Sequence, residues 1–425
     1  MIDIKLILEK PEYVKQALAK KLWDFDPQPI IDLYNRRGEL LKLVEANKAE
    51  QNKLSASFGK VKKEGGDVES IRLAVKKLAD ENKNREEELS EIEVKLKELI
   101  EVLPNIPDDD LASGGKEENK PIYRFKDIPQ FSFKPKDHVE LCESLGLIDY
   151  KRGAKISGNG TWIYTNLGAR LEWALINYFI NTHLADGYEM ILPPHILNYD
   201  SGYTAGQFPK FKEDVFWLEG TDPKKFILPT AETALVNLYR NEILSEKDLP
   251  KKFFAYTPCY RKEAGSYRTE ERGMIRGYQF NKVEMVQYTT VEGSDEAFEE
   301  LVKKAQALVE GLGLCYQLDK LAAGDCSHSM ARTYDIEVYI PSMGIFKECS
   351  SVSNARDYQA RRGMIRYRDS NGKVKFCHTL NGSGLATSRI IPAIVEQYQQ
   401  EDGSVIVPEV LRPYMGGIER IYPKK

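Results

Sequence analysis

Three segments of this chain place charged side chains and glycine in apolar surroundings, where a charge is costly unless it has a partner. In the first segment, Arg261 is followed after a long polar loop by Arg276. If two strands joined by this loop carry them, the two guanidinium groups lie side by side and can bind a phosphate bidentately. An Arg–Glu pair that only stabilises a sheet is the alternative interpretation.

The second segment, residues 347–351, carries a carboxylate at Glu348 and a hydroxyl at Ser351. Two oxygen ligands three residues apart could hold a divalent cation on a triphosphate. Taken alone, this pattern is weak evidence for a cation site. It becomes stronger evidence only in combination with the other two segments.

The third segment, residues 378–389, is rich in Gly and opens into a predicted amphipathic helix over 390–399. Arg389 at the start of this helix suits close approach to a nucleotide. The segment lacks the Gly-Lys-Ser/Thr end of a P-loop, and no G-x-G-x-x-G follows a parallel strand. A Walker or Rossmann nucleotide site is therefore not expected.

All three segments lie in the part of the chain that begins near Phe131. Here predicted helices such as 171–181 occur beside β-branched and aromatic runs such as 253–256 and 334–339. These runs are clustered rather than separated one by one by helices. The pattern indicates an α+β domain built on a mostly antiparallel sheet with flanking helices.

The N-terminal part shows a different periodicity, with apolar residues at alternating steps of three and four. This heptad seam runs through residues 30–61 and, after a Gly-Gly break at 64–67, resumes through 68–99. We predict two long helices that fold back on each other, each roughly 50 Å long at 1.5 Å rise per residue. Counting outward from the break sets Asn47 opposite Asn82, and such a polar layer fixes the register of a coiled coil.

The first predicted helix is rich in Lys and Arg, and the second is rich in Glu. Solvated faces with cross-helix ion pairs explain most of these charges. The basic cluster near the tip also suits a phosphate backbone. By itself, such a hairpin is more typical of a protein-interaction coiled coil.

We therefore expect three parts. Residues 1–103 form an N-terminal domain that carries the antiparallel two-helix arm, over about 30–100. Residues 104–130 are rich in Pro, Gly and acidic side chains and are predicted to be a linker. Residues 131–425 form the catalytic domain.

The composition narrows the class of protein further. With 61 basic and 65 acidic side chains, the chain cannot coat nucleic acid nonspecifically, so any such contact must be local. The six cysteines show no zinc-ligand spacing and are expected to be reduced and buried. No apolar run approaches the roughly 20 residues that span a bilayer, and the first residues lack a signal-peptide pattern. We expect a soluble, cytoplasmic protein without a membrane partner.

At this point the motifs resemble those of a known family. Arg261-x-Glu263, with the loop and strand that follow, resembles motif 2 of class II aminoacyl-tRNA synthetases, and Gly382-x-Gly-Leu-Ala-x-x-Arg389 resembles their motif 3. Further phrases are similar to those of seryl-tRNA synthetases in particular: Pro-Thr-Ala-Glu at 229–232, His-Thr-Leu-Asn-Gly-Ser-Gly at 378–384, and the stretches at 401–403 and 411–414.

The resemblance implies a bacterial-type serine–tRNA ligase. Such an enzyme uses ATP and Mg²⁺ to convert L-serine to seryl-adenylate and transfers the seryl group to tRNA(Ser), with tRNA(Sec) as a further candidate. It also implies a homodimer, across which the arm reaches the long variable arm of the tRNA.

The resemblance also assigns roles to individual residues. Arg261 and Glu263 would hold the α-phosphate and the adenine amino group, Phe280 would stack on adenine, and Arg389 would clamp the far side of ATP. The implied ATP-binding residues are Arg261, Lys262, Glu263, Arg276, Gly277, Phe280, Glu348, Cys349, Ser350, Ser351 and Arg389, with Arg261 and Arg389 catalytic. The implied serine-binding residues are Thr230, Ala231, Glu232, Glu284, Asn381 and Ser383, and the implied Mg²⁺ ligands are Glu348 and Ser351.

Three places depart from the family pattern. The motif 2 loop at 266–272 reads Ser-Tyr-Arg-Thr-Glu-Glu-Arg where small-Gly-Arg-Asp-Thr-Arg is usual, and Tyr278 stands where His is common. The run 324–328 also differs from the usual Gly-Asp-hydrophobic-Gly-hydrophobic pattern. These changes concern contacts with the acceptor end of the tRNA and local loop shape. They remove no residue assigned to ATP, metal or serine.

Two other functions are compatible with parts of the pattern. An aminoacyl ligase that charges a carrier protein would share the catalytic core but typically lacks the long arm. A non-catalytic RNA-binding paralogue would be expected to have lost a motif arginine or Glu348, and all of these are present.

Overall fold

The computed structural model describes residues 1–263 and 273–424, and the chain divides into two compact units. The arm unit comprises Ile2–Gln16 and Asp24–Leu103, and the core unit comprises Met1, Ala17–Trp23 and the described residues from Pro104 onwards. The helices are α1 (Ile4–Glu9), α2 (Pro11–Lys20), α3 (Gln28–Lys63), α4 (Val68–Glu101), α5 (His138–Ser144), α6 (Tyr150–Ser157), α7 (Leu167–Ala185), α8 (Tyr199–Thr204), α9 (Glu232–Leu235), α10 (Ser294–Gly311), α11 (Tyr358–Gly363) and α12 (Thr387–Gln397).

The strands belong to the core unit. They are β1 (Lys120–Phe125), β2 (Ile148–Asp149), β3 (Ile163–Tyr164), β4 (Glu189–Met190), β5 (Ile196–Asn198), β6 (Trp217–Leu218), β7 (Lys225–Ile227), β8 (Ile243–Ser245), β9 (Lys251–Tyr260), β10 (Gln279–Thr289), β11 (Tyr316–Lys320), β12 (Arg332–Ile340), β13 (Ile345–Arg356), β14 (Arg366–Arg368), β15 (Val374–Phe376), β16 (His378–Ala386), β17 (Val405–Ile406) and β18 (Arg420–Ile421).

The arm unit contains the predicted two-helix hairpin, formed by α3 and α4. Gly65 at the turn has a φ of +72°, which glycine adopts without strain. The Asp67 side chain then caps α4 by accepting hydrogen bonds from the backbone amides of Glu69 and Ser70. The helices begin and end within two residues of the predicted seam, because a heptad pattern is a local property of the sequence.

Polar residues interrupt the seam where the sequence predicted them. Asn82 is 5% exposed and donates to the carbonyl of Val44 at 3.4 Å, while Asn47 donates to Glu81 at 3.2 Å. The two asparagines are therefore satisfied by their neighbours on the facing helix rather than by each other.

Ion pairs cross the outside of the hairpin, as the charge pattern indicated. Arg36 pairs with Glu88 at 2.8 Å, and Lys48 pairs with Glu86 at 2.8 Å. These side chains are about half exposed, so water and salt screen each pair and its contribution to stability is small. Burial of the seam, rather than these pairs, holds the helices together.

The core unit is built on an eight-stranded sheet in the order β1-β11-β12-β13-β16-β10-β9-β4. Neighbouring strands pair antiparallel, except for β4, which runs parallel to β9 at the edge. Helices α7, α10 and α12 contribute buried apolar side chains to the same hydrophobic core as this sheet. The predicted α+β class, with an arm and a mostly antiparallel sheet, is confirmed.

Residues 104–130, predicted to be a linker, contain strand β1, which pairs with β11. The strand escaped prediction because its side chains are largely exposed and show no apolar alternation. Ion pairs hold the residues before it, since Asp108 contacts both Arg332 at 2.8 Å and Arg356 at 2.7 Å. The boundaries of the three predicted parts stay a prediction.

All six cysteines are buried and form no disulfide, as predicted. In the part of the chain that the structure describes, no helix combines the length and apolarity needed to cross a bilayer.

Candidate active site

Most of the predicted site residues line one cavity of about 590 Å³ in the core unit. Strands β10, β13 and β16, the start of α12 and Arg261, which follows β9, supply much of its wall. The predicted residues that line it are Thr230, Glu232, Arg261, Glu263, Arg276, Gly277, Phe280, Glu284, Glu348, Cys349, Ser350, Ser351, Asn381, Ser383 and Arg389.

Two predicted residues do not line this cavity. Ala231 is fully buried and packs in an apolar cluster with Ala205 and Leu235. Lys262 lies just after β9, where its backbone amide donates to the carbonyl of Asp214 at 3.0 Å. The unusual motif 2 loop at 266–272 lies outside the described residues.

The β9–β10 hairpin brings the motif 2 side chains together. Its register pairs Tyr260 with Gln279, and the ladder extends through the Arg261 amide, which donates to the carbonyl of Tyr278 at 3.0 Å. The sequence predicted that Arg261 and Arg276 would lie side by side. Both line the cavity, but Arg276 forms an ion pair with Glu263 at 2.7 Å.

Arg261 and Phe280 form a cationic and aromatic wall. The guanidinium carbon of Arg261 lies 5.2 Å from the centre of the Phe280 ring, within range of a cation–π interaction. The Arg261 Nε donates to the carbonyl of Pro229 at 3.2 Å, which fixes the direction of the side chain. A planar ring beside a fixed positive charge suits a nucleotide.

A β-bulge explains how Glu348 and Ser351 both reach the cavity. Residues three apart on a regular strand point to opposite faces. In β13 the register shifts at Cys349, because Ile336 pairs with Ser350 whereas Glu337 pairs with Glu348. The extra residue turns the side chains around it, as bulges near functional sites often do. The carboxylate and the hydroxyl therefore face the same space.

Arg389 lies against Glu348 at the start of α12. Its Nη1 donates to the Glu348 carbonyl at 2.6 Å and lies 3.3 Å from the carboxylate. Desolvation alone would raise the pKa of Glu348, but the positive charges of Arg389 and Arg261 outweigh it and leave this pKa lowered. Glu348 is therefore ionised at neutral pH.

A second end of the cavity is a polar network that includes an unpredicted residue, Lys282. Its Nζ donates to the Thr230 hydroxyl at 2.8 Å and forms an ion pair with Glu284. Asn381 in turn donates to Glu284 at 3.1 Å. Strand alternation could have revealed Lys282, because positions 280, 282 and 284 share one face.

Polar atoms at this end lack protein partners. Among the described residues, the Ser383 hydroxyl and the Asn381 side-chain oxygen are buried without a hydrogen-bond partner. Burial, then the nearby Glu284, raises the pKa of the Glu232 carboxyl to about 7. Buried polar groups in native proteins are usually paired, so these atoms mark a place where a small polar ligand would bind.

Comparison with known proteins decides the family. The seryl-tRNA synthetase N-terminal domain matches residues 1–107, and the class II tRNA synthetase core domain (G, H, P, S and T) matches residues 216–398. The chain is 58% identical over 422 residues to serine–tRNA ligase 2 of Clostridium acetobutylicum, which covers 98% of this chain and 99% of that protein. This chain belongs to the seryl-tRNA synthetase family.

Other family members match over the same length. Serine–tRNA ligase of Nitratidesulfovibrio vulgaris is 43% identical over 424 residues, or 99% of each chain. The crystal structure of seryl-tRNA synthetase from Pyrococcus horikoshii in complex with ATP superposes with a TM-score of 0.94 at 33% identity, covering 100% of both chains. The arm and the core unit thus both have counterparts in the seryl-tRNA synthetase family.

Proposed function

We propose that this chain is a serine–tRNA ligase. It would convert L-serine and ATP to seryl-adenylate and pyrophosphate and then transfer the seryl group to tRNA(Ser). The observation that carries the proposal is a single cavity with two unlike ends. One end joins Arg261, Phe280 and Arg389, and the other joins Glu232 with the unpartnered polar atoms of Asn381 and Ser383.

The first end suits ATP. Phe280 would stack on the adenine ring, while Arg261 and Arg389 would neutralise charge on the phosphates. The serine carboxylate would attack the α-phosphorus in line, and pyrophosphate would leave without a covalent enzyme intermediate. Catalysis would then depend on positioning and on charge neutralisation.

The cavity also fits Mg²⁺. Asp335 lines a neighbouring pocket that shares Glu348 and Ser351 with the cavity. It pairs with Ser351 across the strands, and one of its buried oxygens has no partner among the described residues. No cluster of three or more His, Cys, Asp or Glu side chains forms a metal site in the described parts of the chain. That suits Mg²⁺, which is commonly held by one or two protein oxygens together with substrate phosphates. Glu348 and Ser351 would hold it, and when bound it would neutralise phosphate charge.

The second end suits serine. Glu232 would receive the ammonium group, and Glu284, Asn381 and Ser383 would surround the side-chain hydroxyl. Alanine and glycine lack this hydroxyl, so they would leave buried polar groups unpaired and bind poorly. Threonine would be rejected by its size.

The arm suits the tRNA. The last turn of α3 contains three lysines, Lys60, Lys62 and Lys63. No ion pair joins them to another residue that the structure describes. We propose that they contact phosphates of the long variable arm. Such contacts carry no base information, so tRNA(Sec) is a second proposed substrate.

The core unit also supports a homodimer. Large apolar side chains are exposed on and after α7, where Trp173 is 54% and Leu192 is 75% exposed. Leu184 and Ile196 are also exposed, and side chains of this kind would favour a protein interface where they form one contiguous patch. We propose a cytoplasmic homodimer, which sedimentation equilibrium would test.

The test of the function is exchange of pyrophosphate into ATP, followed by charging of total tRNA with the same sample. We expect exchange with serine, little with threonine, alanine or glycine, and charging of tRNA(Ser). Exchange without charging would favour a ligase that acts on a carrier protein. Absence of exchange with every amino acid would overturn the proposal.

A further inference from the structure

A buried glutamine outside the cavity contacts the carboxylate at its serine end. Gln359 lies on α11, is 1% exposed and does not line the cavity. Its Nε2 donates to Glu232 Oε1 at 2.8 Å and to the carbonyl of Ala205 at 3.0 Å. Its Oε1 accepts from the Thr379 hydroxyl at 2.6 Å.

These three contacts fix the orientation of the Gln359 amide. The carbonyl of Ala205 can only accept a hydrogen bond, so the NH₂ group must face it, and the oxygen must face Thr379. Both amide protons and the amide oxygen are therefore used. A side chain held in this way cannot turn to serve another partner.

The contact determines how Glu232 meets a ligand. One carboxylate oxygen is bound by Gln359, which leaves the other oxygen for the cavity. A donated hydrogen bond also favours the ionised carboxylate, against burial and Glu284, which both raise its pKa. Lys282 and Arg261 act in the same direction as Gln359.

We propose that Gln359 is a positioning residue, which holds Glu232 oriented to receive the ammonium group of the amino-acid substrate. The proposal rests on the serine–tRNA ligase function proposed above. It places a determinant of amino-acid affinity on α11, outside motif 2 and motif 3.

The first test is Gln359→Met, which keeps the length of the side chain and removes both donors. We expect the KM for serine in pyrophosphate exchange to rise roughly tenfold or more, because a hydrogen bond to a charged group is lost. The KM for ATP should stay within about twofold, since Gln359 touches no residue assigned to ATP.

Gln287→Met is the matched control. Like Gln359, Gln287 is buried and does not line the cavity. Its Nε2 donates to the Tyr188 hydroxyl at 2.6 Å, and Tyr188 does not line the cavity either. Its loss should lower the melting temperature without changing the KM for serine. An equal rise in this KM for both variants would show that Gln359 is only structural and would overturn the proposal.

The pH dependence separates positioning from stability more sharply. In Gln359→Met, Glu232 loses a donor and ionises at higher pH, so the fall in the KM for serine with rising pH should lie at higher pH than in the wild type. In Gln359→Glu, the new carboxyl can donate while it is protonated and repels Glu232 once ionised, so the KM should rise as pH rises from 6 to 8.5. Glu284, Lys282 and Arg261, the charged groups that face Glu232, are unchanged in both variants.

Parallel pH profiles for the two variants would contradict the proposal. If Gln359→Met does not fold, Thr379→Val is the second variant, because it removes only the donor that orients the amide. Its KM for serine should rise severalfold, and its KM for ATP should stay unchanged. An unchanged KM for serine in a folded variant would overturn the inference alone. Absence of serine-dependent exchange in the wild type would overturn the proposed function itself.

Discussion

Single polar atoms decide how the cavity distinguishes serine from smaller amino acids. The Ser383 hydroxyl is buried and, within the described residues, lacks a protein partner. A ligand hydroxyl would satisfy it, and a methyl group or hydrogen would not. Discrimination of this kind can be large, because the unpaired group stays buried when the wrong substrate binds.

Ser383→Ala should therefore raise the KM for serine roughly tenfold while leaving the KM for ATP within about twofold. It should also narrow the preference for serine over alanine, since the penalty against alanine disappears. Both constants come from pyrophosphate exchange. Ser404→Ala is the control, because Ser404 is fully buried and bonded to Asp402 but does not line the cavity. Equal effects of the two substitutions would refute the assignment of Ser383.

The Glu232 carboxyl gives serine binding a pH dependence. Its pKa is raised from 4.5 to about 7, chiefly by burial. The ionised form, which binds ammonium, therefore grows as pH rises through 7, and the KM for serine should fall between pH 6 and 8. Glu232→Gln should raise this KM and remove its pH dependence. A wild-type KM for serine that is constant from pH 6 to 8 would contradict this role.

The same shift links pH to stability. The folded state holds the Glu232 proton more tightly than the unfolded state does, because the folded pKa is the higher one. This carboxyl therefore contributes stability that is fully present below pH 4.5 and is lost as pH rises through about 7. Binding of serine would offset that loss.

At the scale of helices and strands, a buried carboxylate ties three elements of the site together. Glu172 on α7 accepts hydrogen bonds from Asn281 of β10 at 2.7 Å and from Thr387 of α12 at 2.6 Å. Asn281 is next to Phe280, and Thr387 is two residues before Arg389. Glu172 thereby fixes the strand and the helix that carry two proposed ATP contacts.

Glu172→Leu should lower the free energy of unfolding by about 1–3 kcal/mol, because the Asn281 amide loses its acceptor inside the protein. The KM for ATP should rise more than that for serine. Urea unfolding and pyrophosphate exchange measure the two effects. Asn177→Ala, on the exposed face of the same helix, should change neither. A destabilised variant with an unchanged KM for ATP would restrict Glu172 to a structural role.

Elements governed by local periodicity were predictable. The heptad pattern over 30–61 and 68–99 anticipated α3 and α4 to within two residues, because the seam depends on spacing alone. Strand β1 was missed because an exposed edge strand needs no apolar alternation. Its place follows from pairing with β11, which lies far along the chain.

Site residues were predictable where a motif or an alternation carried them. Lys282 shares a strand face with Phe280 and Glu284, so the alternation held enough information to find it. No such pattern in the sequence indicated the bulge at Cys349 or the contact of Gln359 with Glu232. Both depend on pairings between distant segments, and local sequence does not determine these.

At the scale of the whole molecule, the distribution of charge affects the two steps of the proposed reaction, activation of serine and transfer to tRNA, differently. The net charge is −4, so the chain has no general attraction for nucleic acid. A cluster of lysines at the end of α3 is the local exception. Activation of serine needs only the cavity, whereas transfer also needs the tRNA to bind.

Replacement of Lys60, Lys62 and Lys63 by Ala should therefore lower kcat/KM for tRNA charging by about tenfold or more and leave pyrophosphate exchange unchanged. Each lost phosphate contact removes roughly 0.9 from the slope of log affinity against log salt, so tRNA binding should also become less sensitive to salt. Lys48→Ala is the control, because Lys48 is already paired with Glu86. If the triple variant charges tRNA normally at physiological salt, the tip does not bind the tRNA. If pyrophosphate exchange and tRNA charging are both lost, the substitutions disturb the fold. Thermal unfolding of the same sample would reveal this.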